Sequence, residues 1–224
     1  MRIAAAALTA AVSLAAAGAA QAATLSVDHQ CYVSEGSVHQ SVAFNGTGYT
    51  PGATATVTAG GQTLGQLAVS PQGTISQSFK APGIAANQKR YSLSASDGTN
   101  TASTSFYVTR ARADFFPSNG NPATLRVRFY VIGLGAVLAA SGKASNSTVY
   151  AHWKSPSGSY VGVKRLGKLS GPCGSLISAK QRALPFGSKR GLWKLRFNPS
   201  GKNTSAGFAT TPWVSIGLRV RIIF

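Results

Sequence analysis

Acidic side chains are nearly missing from this chain: its 224 residues hold four, Asp28, Glu35, Asp97 and Asp114, against 22 Lys and Arg, for a formal charge of +18. Glycoside hydrolysis by paired carboxylates and calcium binding both consume acidic residues, so neither has its raw material here. Cysteine is limited to two, Cys31 and Cys173. No window over residues 24–109 sustains a 3.6-residue apolar period, which leaves little room for helix there. After the first 22 residues, no stretch approaches the roughly 20 uninterrupted apolar residues that a membrane-spanning helix needs. With 44% hydrophobic and 12% charged residues, the composition is still that of a folded protein, of a length for one large domain or two small ones.

The chain opens with Met1-Arg2, a nearly uncharged Ala/Leu/Val run over residues 3–20, and Ala20-Gln21-Ala22. A positive start, a weakly apolar middle and a small-x-small end describe a cleaved secretory signal peptide, residues 1–22. The mature chain is then expected to be secreted or cell-surface associated, with no transmembrane segment. An even cysteine count in an oxidising compartment favours a disulfide, and Cys31 with Cys173 is the one pairing possible within the chain. Two separate thiols or an intermolecular bridge are the alternatives. His29, Cys31, His152 and Cys173 lack any standard zinc-ligand spacing, so no metal site is expected.

Residues 23–109 read as short alternating strands with turn signals between them. Val38, Val42 and Phe44 fall on one face of a strand over 37–44. Gly60-Gly61 marks a tight hairpin, and Asp97-Gly98 is a type I′ signal before the closing strand. About seven strands at this spacing suit a β-sandwich. Gly46-Thr47-Gly48-Tyr49-Thr50-Pro51-Gly52 is similar to the G-x-G-[FY]-x-P-G stretch of bacterial immunoglobulin-like modules found in exported and surface proteins. Residues 91–109 resemble the closing hairpin of those modules. The resemblance implies an immunoglobulin-like sandwich acting as spacer or scaffold, without catalysis.

Residues 110–224 alternate too. Val127, Phe129 and Val131 oppose Arg126, Arg128 and Tyr130. Val149, Ala151 and Trp153 oppose Tyr150, His152 and Lys154. Trp193, Leu195 and Phe197 oppose Lys194 and Arg196, and Leu218, Val220 and Ile222 oppose Arg219 and Arg221. Such strands make a second antiparallel, sandwich-like domain with apolar inner and basic outer faces. The run Leu166-Gly167-Lys168-Leu169-Ser170-Gly171-Pro172-Cys173-Gly174, with Gly191-Leu192-Trp193 after it, resembles an uncharacterised L-G-x-L-x-G-P-C-G module of exported proteins from high-GC Gram-positive bacteria. The match supports the Cys31–Cys173 bridge and implies no activity; Asn198 stands where that module commonly has Asp. The expected fold is therefore all-β, with two antiparallel sandwiches in tandem, residues 23–109 and 110–224.

Charge divides unevenly between the halves. Residues 23–109 carry three basic and three acidic side chains, a net of zero, whereas residues 110–224 carry eighteen basic ones against Asp114, a net of +17. Self-repulsion of that size favours an anionic counterpart. Arg126, Arg128, Tyr130, Tyr150, Lys194, Arg196, Arg219 and Arg221 are the expected polyanion-binding residues, since phosphate or sulfate contacts release counterions and aromatic rings can stack. A non-enzymatic binding or adhesion protein of the cell envelope is expected. Its partner would be an anionic cell-wall polymer, polysaccharide or lipid head groups, with nucleic acid a further candidate and no cofactor. A purely structural module is the alternative reading, and a Cys173-dependent enzyme a third. Gly133-Leu134-Gly135 and Gly171-Pro172-Cys173-Gly174 are expected to be plain loops, since neither opens a phosphate-binding helix.

Overall fold

Short runs in which β-branched and aromatic residues alternate with polar ones, broken by glycine, proline and aspartate, build strands rather than helices. The computed structural model describes residues 22–202 and 212–220. Apart from Ala22 the expected signal peptide lies outside those residues, as do Arg221 and Ile222. The chain is all-β, in two sandwiches.

In the first, β1 (Thr24–Val27), β4 (Ser41–Thr47) and β7 (Ile75–Lys80) form a three-stranded sheet with β4 in the middle. The opposing six-stranded sheet runs β3 (Val38–His39), β2 (Cys31–Glu35), β9 (Thr101–Thr109), β8 (Gln88–Ser96), β5 (Thr54–Ala59), β6 (Gln62–Ala68). Tyr32, Val42, Phe44, Val57, Leu93 and Phe106 fill the space between. Pairing is antiparallel except between β2 and β9. The chain crosses from one sheet to the other at residues 28–30, and the Tyr32 hydroxyl, donating to Asp28 Oδ1, pins that crossing.

Gly60 and Gly61, at φ 57° and 84°, form the expected two-residue turn between Ala59 and Gln62. The Asp97-Gly98 signal resolves differently. Ser96 pairs with Thr101, so four residues make the turn, and the Asp97 carboxylate accepts the N–H groups of Thr50, Thr99 and Asn100 at 2.6, 2.9 and 2.6 Å. Thr99 and Asn100 belong to the turn and Thr50 to a neighbouring loop, and Asp97 does not take the positive φ that a type I′ turn requires. Val38 also departs from expectation: it is 60% exposed. Gln40 breaks the strand by accepting the Val33 N–H and donating its own to the Val33 carbonyl, which leaves β3 as an edge hairpin on β2.

The second sandwich sets β10 (Arg112–Phe116), β11 (Arg126–Ile132) and the short β14 (Leu176–Ile177), with β15 (Gln181–Arg182) also on β11, against a four-stranded sheet. That sheet runs β13 (Tyr160–Lys168), β12 (Thr148–Lys154), β16 (Gly191–Asn198), β17 (Val214–Val220). Val127, Phe129, Trp153, Trp193, Leu195 and Phe197 share one core between the two sheets. Both indoles are satisfied, Trp153 Nε1 by the Ala183 carbonyl and Trp193 Nε1 by that of Lys189.

Gly133-Leu134-Gly135 is not a plain loop: it opens a six-residue helix, α1 (Leu134–Ala139). Six residues are too few to leave a periodic signature in sequence. Gly135 donates its N–H to the Gly174 carbonyl and Ala136 to that of Cys173, so the helix start docks on the Gly-Pro-Cys-Gly hairpin tip.

That tip holds the two sandwiches together. Cys31 and Cys173 are bonded, with Cα atoms 5.1 Å apart across 142 residues of sequence, as the cysteine count and the resemblance imply. Around the bridge, Val33 of the first sandwich packs with Ala136 and Val137 of α1, and Tyr107 and Ala111 close the cluster. Glu35 Oε2 accepts the Ala111 N–H at 3.0 Å.

Candidate polyanion-binding site

The register of the β13-β12-β16-β17 sheet determines which side chains share its outer face. Tyr150 pairs with Asn198, His152 with Arg196 and Lys154 with Lys194. Arg196 pairs with Ser215 and Leu192 with Arg219. On the other side Lys154 meets Tyr160, Tyr150 meets Arg165 and Thr148 meets Lys168. Because residues opposite one another project to one side, Lys154, Arg165, Lys168, Lys194, Arg196 and Arg219 all stand on this face. Four strands make it about 15 Å wide. Asp114, the one acidic side chain after residue 110, belongs to β10 in the other sheet.

Aromatic rings order the centre of this face. The Arg196 guanidinium lies 4.1 Å from the centre of the Trp213 ring and 6.0 Å from that of Tyr160, while Lys154 Nζ is 5.7 Å from Tyr160. Cation–π contact holds the charges at fixed positions without neutralising them.

His152 corrects the sequence reading. It is on the outer face by alternation yet wholly buried. The chain after β16 folds back over it: Nε2 is 2.8 Å from the Ser200 carbonyl and 3.0 Å from Asn198 Oδ1, which also accepts the Ser200 N–H. A carbonyl only accepts, so Nε2 carries the proton. Burial holds the imidazole below its ordinary pKa, against the opposing pull of its Ser200 and Asn198 acceptors. His152 therefore supports the face from beneath and does not present itself to a ligand.

Of the residues expected to bind polyanions, the structure brings together Tyr150, Lys194, Arg196 and Arg219. Arg126, Arg128 and Tyr130 sit on β11, whose inner side packs on the same core, so they occupy the opposite outer face. There Arg126 pairs directly with Arg182, and each of Arg126, Arg128 and Arg182 donates one N–H to a backbone carbonyl, of Lys180, Ser178 and Ala123. Arg221 lies outside the described residues.

Sequence reading missed Tyr160, Arg165 and Lys168, because β13 carries two register irregularities that blur its alternation. Trp213 was missed too, since it precedes the strand signal; its position before an alternating run was the available cue. The metal combination of His29, Cys31, His152 and Cys173 is not assembled: the cysteines are joined to each other and His152 is enclosed by Asn198 and Ser200. Cys173, as a disulfide sulfur, carries no nucleophilic thiolate.

No protein-family model matches the chain, and no curated protein matches it. Among solved structures it is similar to Salmonella alpha-2-macroglobulin reacted with methylamine, at 15% identity over 91% of this chain and 15% of that one, TM-score 0.31. It is similar to Escherichia coli alpha-2-macroglobulin activated by porcine elastase, at 12% identity over 88% and 20% of the two chains, TM-score 0.30. It is also similar to the BSP domain of a biofilm associated protein, at 14% identity over 79% and 27%, TM-score 0.22. The chain thus spans between 15% and 27% of the length of those proteins, and likenesses at these scores carry no functional argument. The class defined by the fold is an all-β protein of two sandwiches joined by a disulfide. No helix among the described residues is long and apolar enough to cross a membrane.

Proposed function

We propose that this is an exported, non-enzymatic binding protein of the cell envelope or extracellular space, whose second sandwich holds an anionic polymer. One observation carries the reading: six cationic side chains share one face of the β12–β16 sheet with no carboxylate side chain of that sandwich among them. Neutralising such a face with a polymer releases the polymer's condensed counterions, a driving force that needs no deep pocket. The signal-like first 22 residues and the disulfide support an extracellular location.

Rings at the centre of the face are stacked on protein cations. Charge rather than base stacking is then the means of contact, which favours an anionic cell-wall polymer or polysaccharide over nucleic acid.

Retention on a dextran sulfate matrix tests the proposal. The full chain is expected to bind at about 50 mM salt and to elute with rising salt, and Lys194→Glu with Arg219→Glu to elute well before it. Passage of the unaltered protein through the matrix, or identical elution of the double variant, overturns the reading.

A further inference from the structure

The second sandwich carries its charge on two sides. Both sheets bury their inner faces in one core, so their outer faces point in opposite directions. Lys154, Lys194, Arg196 and Arg219 mark one side. On the other, Arg126 and Arg182 are register partners, with Arg128 two residues along β11 and Lys180 exposed just before β15. The single Asp114 pairs with Tyr130 at the far end of that side, and its Oδ1 accepts the Phe115 N–H.

Like charges directly opposite each other on neighbouring strands are destabilising, and among the described residues the hydrogen-bond partners of the Arg126 and Arg182 side chains are backbone carbonyl oxygens, with Asp114 at the far end of the face. Each of these guanidinium groups gives one N–H to a carbonyl, which orients the group. A guanidinium has five N–H donors, so the remaining ones are available to an anion. Sheets pack about 10 Å apart, and outward side chains on both sides add to that separation. One thin polymer strand cannot lie across both faces without turning around the sandwich edge, whereas two strands fit, one per face.

Resting on the reading of the β12–β16 face as a polyanion site, we infer that the protein is bivalent. Each outer face of the second sandwich takes its own strand of anionic polysaccharide, so that a single molecule bridges two polymer chains. The role is then cross-linking rather than simple attachment.

Mixtures of donor- and acceptor-labelled dextran sulfate chains test this with the full protein. Energy transfer between chains is expected to rise on adding sub-saturating protein and to fall again in excess, when each polymer strand occupies its own molecule. Arg126→Gln with Arg182→Gln removes both charges while keeping an uncharged polar side chain at each position. Lys180→Glu reverses a charge at an exposed position and serves as the second variant.

Either variant is expected to lose about tenfold or more of the transfer signal, while retention on immobilised dextran sulfate stays within about threefold of the unaltered protein. Transfer that persists undiminished in both variants overturns the inference, including the case where bridging arises from paired copies using one face each. No transfer with the unaltered protein despite retention on the matrix also overturns bivalency while leaving the binding site intact. Absence of retention overturns the underlying reading instead. Bridging of single-stranded DNA but not of dextran sulfate overturns the assignment to polysaccharide.

Discussion

The guanidinium of Arg196 sits 4.1 Å from the centre of the Trp213 ring, a side chain that enters the sheet only through the residue after it, Val214. Stacking at a site 40% exposed falls in the lower part of the range for such contacts. Trp213→Ala is expected to lower stability by about 1 kcal/mol, and Trp213→Phe to recover part of it. Arg196→Lys keeps the charge but loses the planar contact, so it is expected to lose stability while keeping most of the salt-dependent retention. Denaturant midpoints at unchanged slope measure the first effect; an unchanged midpoint for Arg196→Lys contradicts it.

The disulfide gives a second expectation. Thiol titration of the native protein should find no reactive thiol, and replacing Cys31 and Cys173 by Ser should cost about 2–5 kcal/mol. Its support is tight: a Cβ on Gly174, at φ 60°, would stand 2.4 Å from the Gly135 Cα and 2.5 Å from the Ser145 carbonyl oxygen. Backbone cannot swing aside as a side chain can. Gly174→Ala is therefore expected to cost about 2–4 kcal/mol and to let a reductant cleave the disulfide sooner than in the unaltered chain. Equal reduction rates would contradict the link between this close approach and the bridge.

Gly162 offers a cleaner steric test. Its Cβ would lie 2.3 Å from the Phe186 ring, which also packs edge-on against Trp153 at 5.4 Å. Gly162→Ala is expected to destabilise by about 1–3 kcal/mol through overpacking. Phe186→Ala alone loses ring burial, but in the double variant the clash is gone, so the two costs should sum to more than the measured double-variant cost. Strict additivity would rule out the contact as the cause.

Much of this fold was legible in the chain. Residues 148–154 and 191–197 alternate cleanly, and both became strands with Trp153 and Trp193 inward. Alternation tells inside from outside, but it does not say which sheet a strand joins. Arg126 and Arg196 therefore looked equivalent in sequence and stand on opposite sides of the sandwich. Burial of His152 was hidden for a related reason: it is covered by Asn198 and Ser200, 46 and 48 residues away, a tertiary event that no local pattern records.

Two groups contribute to the pH dependence of stability in separate windows. His152 is held below its ordinary pKa by burial, so the unfolded chain binds its proton first as pH falls. The contribution of His152 is then complete above about pH 6.5, declines as pH drops below that value, and stops declining once pH passes the depressed native value. Asp97 is held well below the usual carboxylate range, chiefly by the N–H groups of Asn100 and Thr50. Its contribution is present above about pH 4 and is lost as pH falls further, through its native value. Asn198→Asp should separate the two. A carboxylate 3.0 Å from Nε2 favours the imidazolium, raises the native pKa of His152 and reduces the loss in the upper window, with the lower window unchanged for Asp97. Thermal midpoints between about pH 3 and pH 8 for the unaltered chain, His152→Gln and Asn198→Asp measure this. A decline near pH 6 that survives in His152→Gln would assign that window to another group.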